Sequence, residues 1–92
     1  MFWVYILQHE KTGKIYIGQT DDLETRIKRH NGLLKTKMRS YTNINRGDGN
    51  WNIIYKEEYN TKTRQVVLAR EKYLKSHIGR DWIKKQDWFK VF

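Results

Sequence analysis

Tyr5 and Tyr16 each lie inside a short apolar run, Phe2-Trp3-Val4-Tyr5-Ile6-Leu7 and Lys14-Ile15-Tyr16-Ile17-Gly18. A phenol buried in such a run must satisfy its hydroxyl, and beside cations it can shuttle a proton. Arg26 follows Leu23 by three and directly precedes Ile27, so it borders the apolar face of any helix over that segment. Its guanidinium can stabilise charge on a phosphate. Glu71 comes four after Val67 and three before Leu74, which puts a carboxylate on an apolar helical stripe. Carboxylates take such positions chiefly when they are paired or hold a metal, and a held divalent metal activates water or a leaving oxygen. Two tyrosines, an arginine and a glutamate on one sheet face would form a phosphodiesterase-like site. The same spacings also suit plain structure: an ion pair of Glu71 with Lys75 or Arg26, and ordinary strand aromatics at Tyr5 and Tyr16.

These residues need elements to position them. Phe2–Leu7 is aromatic and β-branched and reads as a buried strand. Lys14–Gly18 reads as a second strand, joined to the first by a polar turn as a β-hairpin that Gly18 closes. Asp21 with Glu24 resembles a capping box, with Thr20 a competing cap. Leu23, Ile27 and Leu34 then predict a helix that frays or ends at Asn31-Gly32. Trp51–Tyr59 reads as a third strand. Thr61–His77 reads as the longest helix, capped by Thr61 or Thr63, carrying Val67, Leu74 and Ile78 on one stripe and ending at Gly79. Asp81–Val91 reads as a short final helix with Trp82, Ile83, Trp88 and Phe89. Trp51, Trp82 and Trp88 read as core, and His9 and His77 as surface. The fold class is α+β, a small antiparallel or mixed sheet covered by helices.

The 92 residues suffice for one small domain spanning 1–92. Four Trp, six Tyr and three Phe give such a chain a core and argue against disorder, despite a mean hydropathy of −0.91. Nineteen Lys and Arg against ten Asp and Glu give a net charge of +9, the signature of a chain that meets a polyanion. Lys28, Arg29, Lys35, Lys37, Arg39 and Arg46 follow Arg26 with no acid among them, a run suited to a DNA backbone. The absence of Cys excludes disulfides, thiolate metal sites and a cysteine nucleophile. The longest apolar run is far short of a membrane span and lacks signal-peptide features, so the expected location is cytoplasmic.

At these residues the sequence resembles the GIY-YIG nuclease family, in particular its small single-domain members similar to the N-terminal nuclease domain of the bacterial excision repair nuclease. Trp3-Val4-Tyr5 stands where the family has Gly-Ile-Tyr, and Tyr16-Ile17-Gly18 is the second half of the signature. Arg26 matches the family's arginine, His30 takes the place four further on, and Glu71 matches its metal-binding glutamate. The resemblance covers essentially the whole chain. It implies a three-stranded antiparallel sheet flanked by helices, and hydrolysis of a DNA phosphodiester with one divalent cation, Mg²⁺ or Mn²⁺. By that resemblance Glu71 binds the metal, and Tyr5 or Tyr16 deprotonates or orients the attacking water. Arg26 stabilises phosphate charge, His30 assists proton transfer or contacts the phosphate, and Gly18 keeps space open beside the metal. Gln19 stands where repair-type members carry Lys, among the residues facing DNA, and no late Asn follows Asn60. The expected substrate is double-stranded or branched DNA, in repair or recombination, with little sequence specificity. The alternative is a non-catalytic or partner-dependent DNA-binding module of the same fold.

Overall fold

The computed structural model describes residues 1–31 and 49–91. Its centre is strand β1 (Phe2–His9), the middle of a three-stranded sheet. Strand β2 (Ile15–Thr20) and strand β3 (Trp51–Tyr59) flank it, both antiparallel. Tyr5 pairs with Gly18, and Ile6 with Ile17 and Tyr55. A register shift between Ile6 and Leu7 leaves Ile54 as an extra residue on β3.

Alternation along β1 makes two layers. Val4 and Ile6 point to one side, where Ile17, Val67, Leu74 and Ile83 complete a core. Helix α2 (Gln65–Lys75) and helix α3 (His77–Lys84) cover that face, and Tyr55, Trp82 and Trp88 close its rim as a ring cluster, Tyr55 stacked on Trp88 at 4.7 Å. Tyr5, Leu7 and Trp51 form the opposite core, covered by Leu23 and Ile27 of helix α1 (Leu23–His30). The expected α+β class and three antiparallel strands are therefore present, with Trp51 fully buried and Trp82 and Trp88 half-buried. No helix among the described residues is long and apolar enough to cross a membrane.

Several local expectations give way. The N-cap of α1 is Asp22, whose Oδ1 accepts from Thr25 N at 3.2 Å, rather than Asp21 or Thr20. Thr20 Oγ1 instead accepts from Asp22 N and shapes the preceding turn. Leu34 lies outside the described residues. Helix α2 begins at Gln65 without a side-chain cap, since Thr61 Oγ1 is taken by Thr63 N ahead of it. His9 is buried, because β1 runs two residues beyond Leu7. Its Nδ1 accepts from Lys11 N and Thr12 N, and its ring meets Trp51 edge-on.

The largest correction is at the end of α2. The chain breaks at Ser76, in extended conformation, and Ser76 Oγ caps the next helix by accepting from Gly79 N. The break turns Ile78 out to solvent, at 67% exposure, and starts α3 at His77 rather than Asp81; residues 85–91 are not helical. Gly79 thus sits inside a helix instead of ending one. A Cβ there would lie 2.1 Å from the Tyr73 carbonyl oxygen and 2.6 Å from Leu74 Cα. Backbone cannot yield as a side chain can, so Gly79→Ala must part α2 from α3. Chemical denaturation of that variant is expected to show a loss of about 2 kcal/mol or more, well beyond an ordinary surface substitution.

Candidate active site

The site forms where β1, β2 and α1 meet. Tyr5 is fully buried, and its hydroxyl is 2.8 Å from His30 Nε2. One proton lies in this bond, from the phenol or the imidazole according to the tautomer. Burial pushes the Tyr5 phenol up to about 12, the nearby charges of Tyr16 and Glu71 raising it further and Arg26 opposing them. Burial, with the positive charges of Arg26 and Arg29, lowers His30 to about 4. Both groups are therefore neutral at pH 7. Tyr16 is half-buried and packs on His30 with ring centroids 4.7 Å apart and on Tyr5 at 6.3 Å.

Gly18 faces Tyr5 across the ladder. A Cβ there would lie 2.6 Å from the Tyr5 hydroxyl oxygen and 3.0 Å from a Tyr16 ring carbon. The space that Gly18 leaves is thus filled by the Tyr5 phenol, which reaches over β2 toward the sheet edge. Arg26 precedes His30 by one turn of α1, so both share a helix face. Burial alone would lower the pKa of its guanidinium, but the adjoining phenols of Tyr5 and Tyr16 raise it, and the net shift is upward. Its Nε is buried with no hydrogen-bond partner among the described residues. A cleft of about 220 Å³, lined by Thr20, Asp21, Asp22, Thr25, Arg26 and Arg29, opens beside it.

Glu71 comes from the other layer. Its side chain is 17% exposed, and Oε1 accepts from Lys75 Nζ at 2.8 Å. Its charge reaches the Tyr5 phenol. The preceding residue, Arg70, fixes α2 to the sheet through Glu57, with Nε and Nη2 donating at 2.9–3.2 Å. Tyr55 and Tyr59 hydroxyls also donate to Glu57. Partial burial would raise the Glu57 carboxyl, but these donors hold it below the usual range. Sequence reasoning passed over this network. Its one signal, Tyr55, Glu57 and Tyr59 alternating on one strand face, says nothing about Arg70.

The structure therefore brings Tyr5, Tyr16, Arg26, His30 and Gly18 together and sets the Glu71 charge within reach. Lys28 and Arg29 lie on the exposed side of α1, Lys28 paired with Glu24 at 3.3 Å. Gln19 is apart from them, on the α2 side of the sheet, its Oε1 buried without a partner among the described residues. Lys35, Lys37, Arg39 and Arg46 lie outside the described residues. Among the described residues no group of three or more His, Asp or Glu is placed to hold a metal.

The lowered His30 makes stability depend on pH. Unfolded, the imidazole takes up a proton near pH 6.5; folded, it does so only near 4. Stability is then full above 6.5 and falls as pH drops through that window, by about 2 kcal/mol between pH 7 and pH 5. Urea unfolding at the two pH values is expected to give this loss, and a smaller one in His30→Gln.

Comparison with known proteins gives one family. The model of the GIY-YIG catalytic domain matches residues 1–86. No curated protein and no solved structure gives a match. The match spans both tyrosine strands, the arginine helix and the glutamate helix whose meeting is described above. This chain belongs to the GIY-YIG family of nuclease domains.

Proposed function

We propose that this chain is a metal-dependent DNA endonuclease with little sequence specificity, acting in DNA repair or recombination. The observation that carries this reading is the meeting of Tyr5, Tyr16, His30 and Arg26 at the β2 edge, with the Glu71 carboxylate in electrostatic reach.

GIY-YIG nucleases are generally dependent on a divalent metal. The donor set here fits a hard cation that keeps most of its waters and takes further oxygens from phosphate, because such an ion needs only one protein carboxylate. Glu71 supplies that carboxylate, and Lys75, half exposed at its Nζ end of the helix, can swing away from it. When bound, Mg²⁺ or Mn²⁺ would supply charge to the phosphate oxygens and to the leaving oxygen.

The chain's own groups divide the remaining work. Arg26 places a permanent cation beside both phenols, where its charge can stabilise a phosphate in the adjoining cleft. Tyr16 is nearer to solvent than Tyr5, so its oxygen is the one that orients the attacking water and, once it has given up its own proton to solvent, takes one from that water. Tyr5, closed off and raised to about 12, is a poor base at neutral pH; it holds His30 in place instead. In the reaction water gives a proton to the Tyr16 phenolate and forms a new bond to phosphorus; the bond from phosphorus to the leaving oxygen breaks, and that oxygen takes a proton from solvent.

Nicking of supercoiled plasmid in Mg²⁺, Mn²⁺ or EDTA tests the reading. Wild type is expected to nick with metal and not with EDTA. Glu71→Gln is expected to abolish nicking, Arg26→Ala to slow it by about 10²-fold or more, and Tyr16→Phe by a similar factor. DNA binding without cleavage in either metal would instead establish the alternative, a non-catalytic or partner-dependent DNA-binding module.

A further inference from the structure

A second cleft, of about 350 Å³, opens at the hairpin end of the sheet, away from Tyr5. Three cations line it: Lys14, the residue before β2, and Arg80 and Lys84 one turn apart on α3. Its inner wall is apolar, from Ile15, Trp51 and Phe89. Among the described residues no acidic side chain lines it.

Four of the described cations, Lys28, Arg64, Arg70 and Lys75, have an acidic partner and most others do not; what sets the three apart is that they share one cleft. Lys14, Arg80 and Lys84 have none among the described residues, and the acid nearest in sequence, Asp81, is engaged with His77. Arg80 is also held in place, its Nε donating to the Lys75 carbonyl at 3.1 Å, which leaves its terminal nitrogens for another acceptor. Three uncompensated cations around an apolar wall match a ligand with a phosphate at one end and a flat apolar ring at the other.

We propose that this cleft binds one nucleotide unit of a DNA strand, its phosphate on Arg80, Lys84 and Lys14 and its base against Phe89. This deepens the nuclease reading and rests on it for the choice of a strand over a free nucleotide, which has the same chemistry. Lys14 lies four residues along β2 from Gly18, about 13 Å at roughly 3.3 Å per residue. The cleft would therefore grip the strand several nucleotides from the bond being cut, and so set which bond reaches Tyr16 and Arg26.

The test uses the whole chain in EDTA, so that binding is read without metal-dependent cutting. Anisotropy of a labelled single-stranded oligonucleotide is titrated at several salt concentrations for wild type, the double variant Arg80→Ala/Lys84→Ala, and a control, Lys62→Ala/Lys85→Ala, that removes the same charge elsewhere. The Arg80/Lys84 variant is expected to bind about tenfold more weakly near 0.1 M salt, with the slope of log K against log salt shallower by nearly 2. The control should change much less. In parallel, thymidine 5′-monophosphate is titrated into ¹⁵N-labelled wild type, and the amides of Gly13, Lys14 and Lys84 are expected to shift. Equal effects of the two double variants, or amide shifts away from these residues, would overturn the cleft while leaving plasmid nicking intact. Shifts with the mononucleotide but unchanged oligonucleotide binding would overturn the strand assignment and identify a free-nucleotide site. No nicking by wild type in either metal would sink the nuclease reading, whatever the cleft binds.

Discussion

Beyond Trp3, strand β1 has no water on either side. From Val4 to His9 every residue is buried, so each polar group on it requires a partner from elsewhere in the chain. Tyr5 takes its partner from α1, Gln8 from the hairpin turn and the C-terminal segment, and His9 from the turn amides. The demand of Tyr5 organises the candidate site. Tying its hydroxyl to His30 fixes the rotation of α1 about its own axis, and Arg26, one turn earlier on the same face, is carried to the phenols as a result. An apolar residue at position 5 would bury equally well but would leave that rotation to the packing of Leu23 and Ile27 and to the Asn31–Trp51 bonds.

The two carboxylates associated with α2 differ in how they are compensated, and this separates structure from chemistry. Glu57 accepts from two phenols and a two-pronged guanidinium, so its charge is fully spoken for. Glu71 meets one half-exposed lysine on its own helix. The first arrangement resists exchange of partners; the second rests on a single bond to a half-exposed lysine and gives way more readily. Arg70 and Glu71 are neighbours in sequence, so the rigid pair holds the exchangeable carboxylate at a constant height above the sheet.

Much of this was legible in the amino-acid order. β1, β2 and β3 announce themselves through β-branched and aromatic runs, and the ordered set of Tyr5, Tyr16-Ile17-Gly18, Arg26 and Glu71 carries the family likeness. What escaped was decided by contacts distant in sequence. Gly79 reads locally as the end of one helix, because glycine is a common terminator. Only the closeness of Tyr73 and Leu74 backbone explains why glycine is needed within the next helix. The Glu57–Arg70 pair spans two elements and has no local signature. His9 read as a surface residue because a polar residue at a strand end usually is one, and its inward position follows from Trp51, forty-two residues on.

Gln8 and Lys90 meet through two hydrogen bonds, Gln8 Nε2 to the Lys90 carbonyl at 2.8 Å and Lys90 N to Gln8 Oε1 at 3.3 Å. A side-chain amide here stands in for a neighbouring strand. The contact joins residues eighty-two apart, so it closes a loop far longer than the one that closes the β1–β2 hairpin. The seam that holds the C-terminal segment to the central strand is therefore costlier to form in chain entropy than the hairpin beside it.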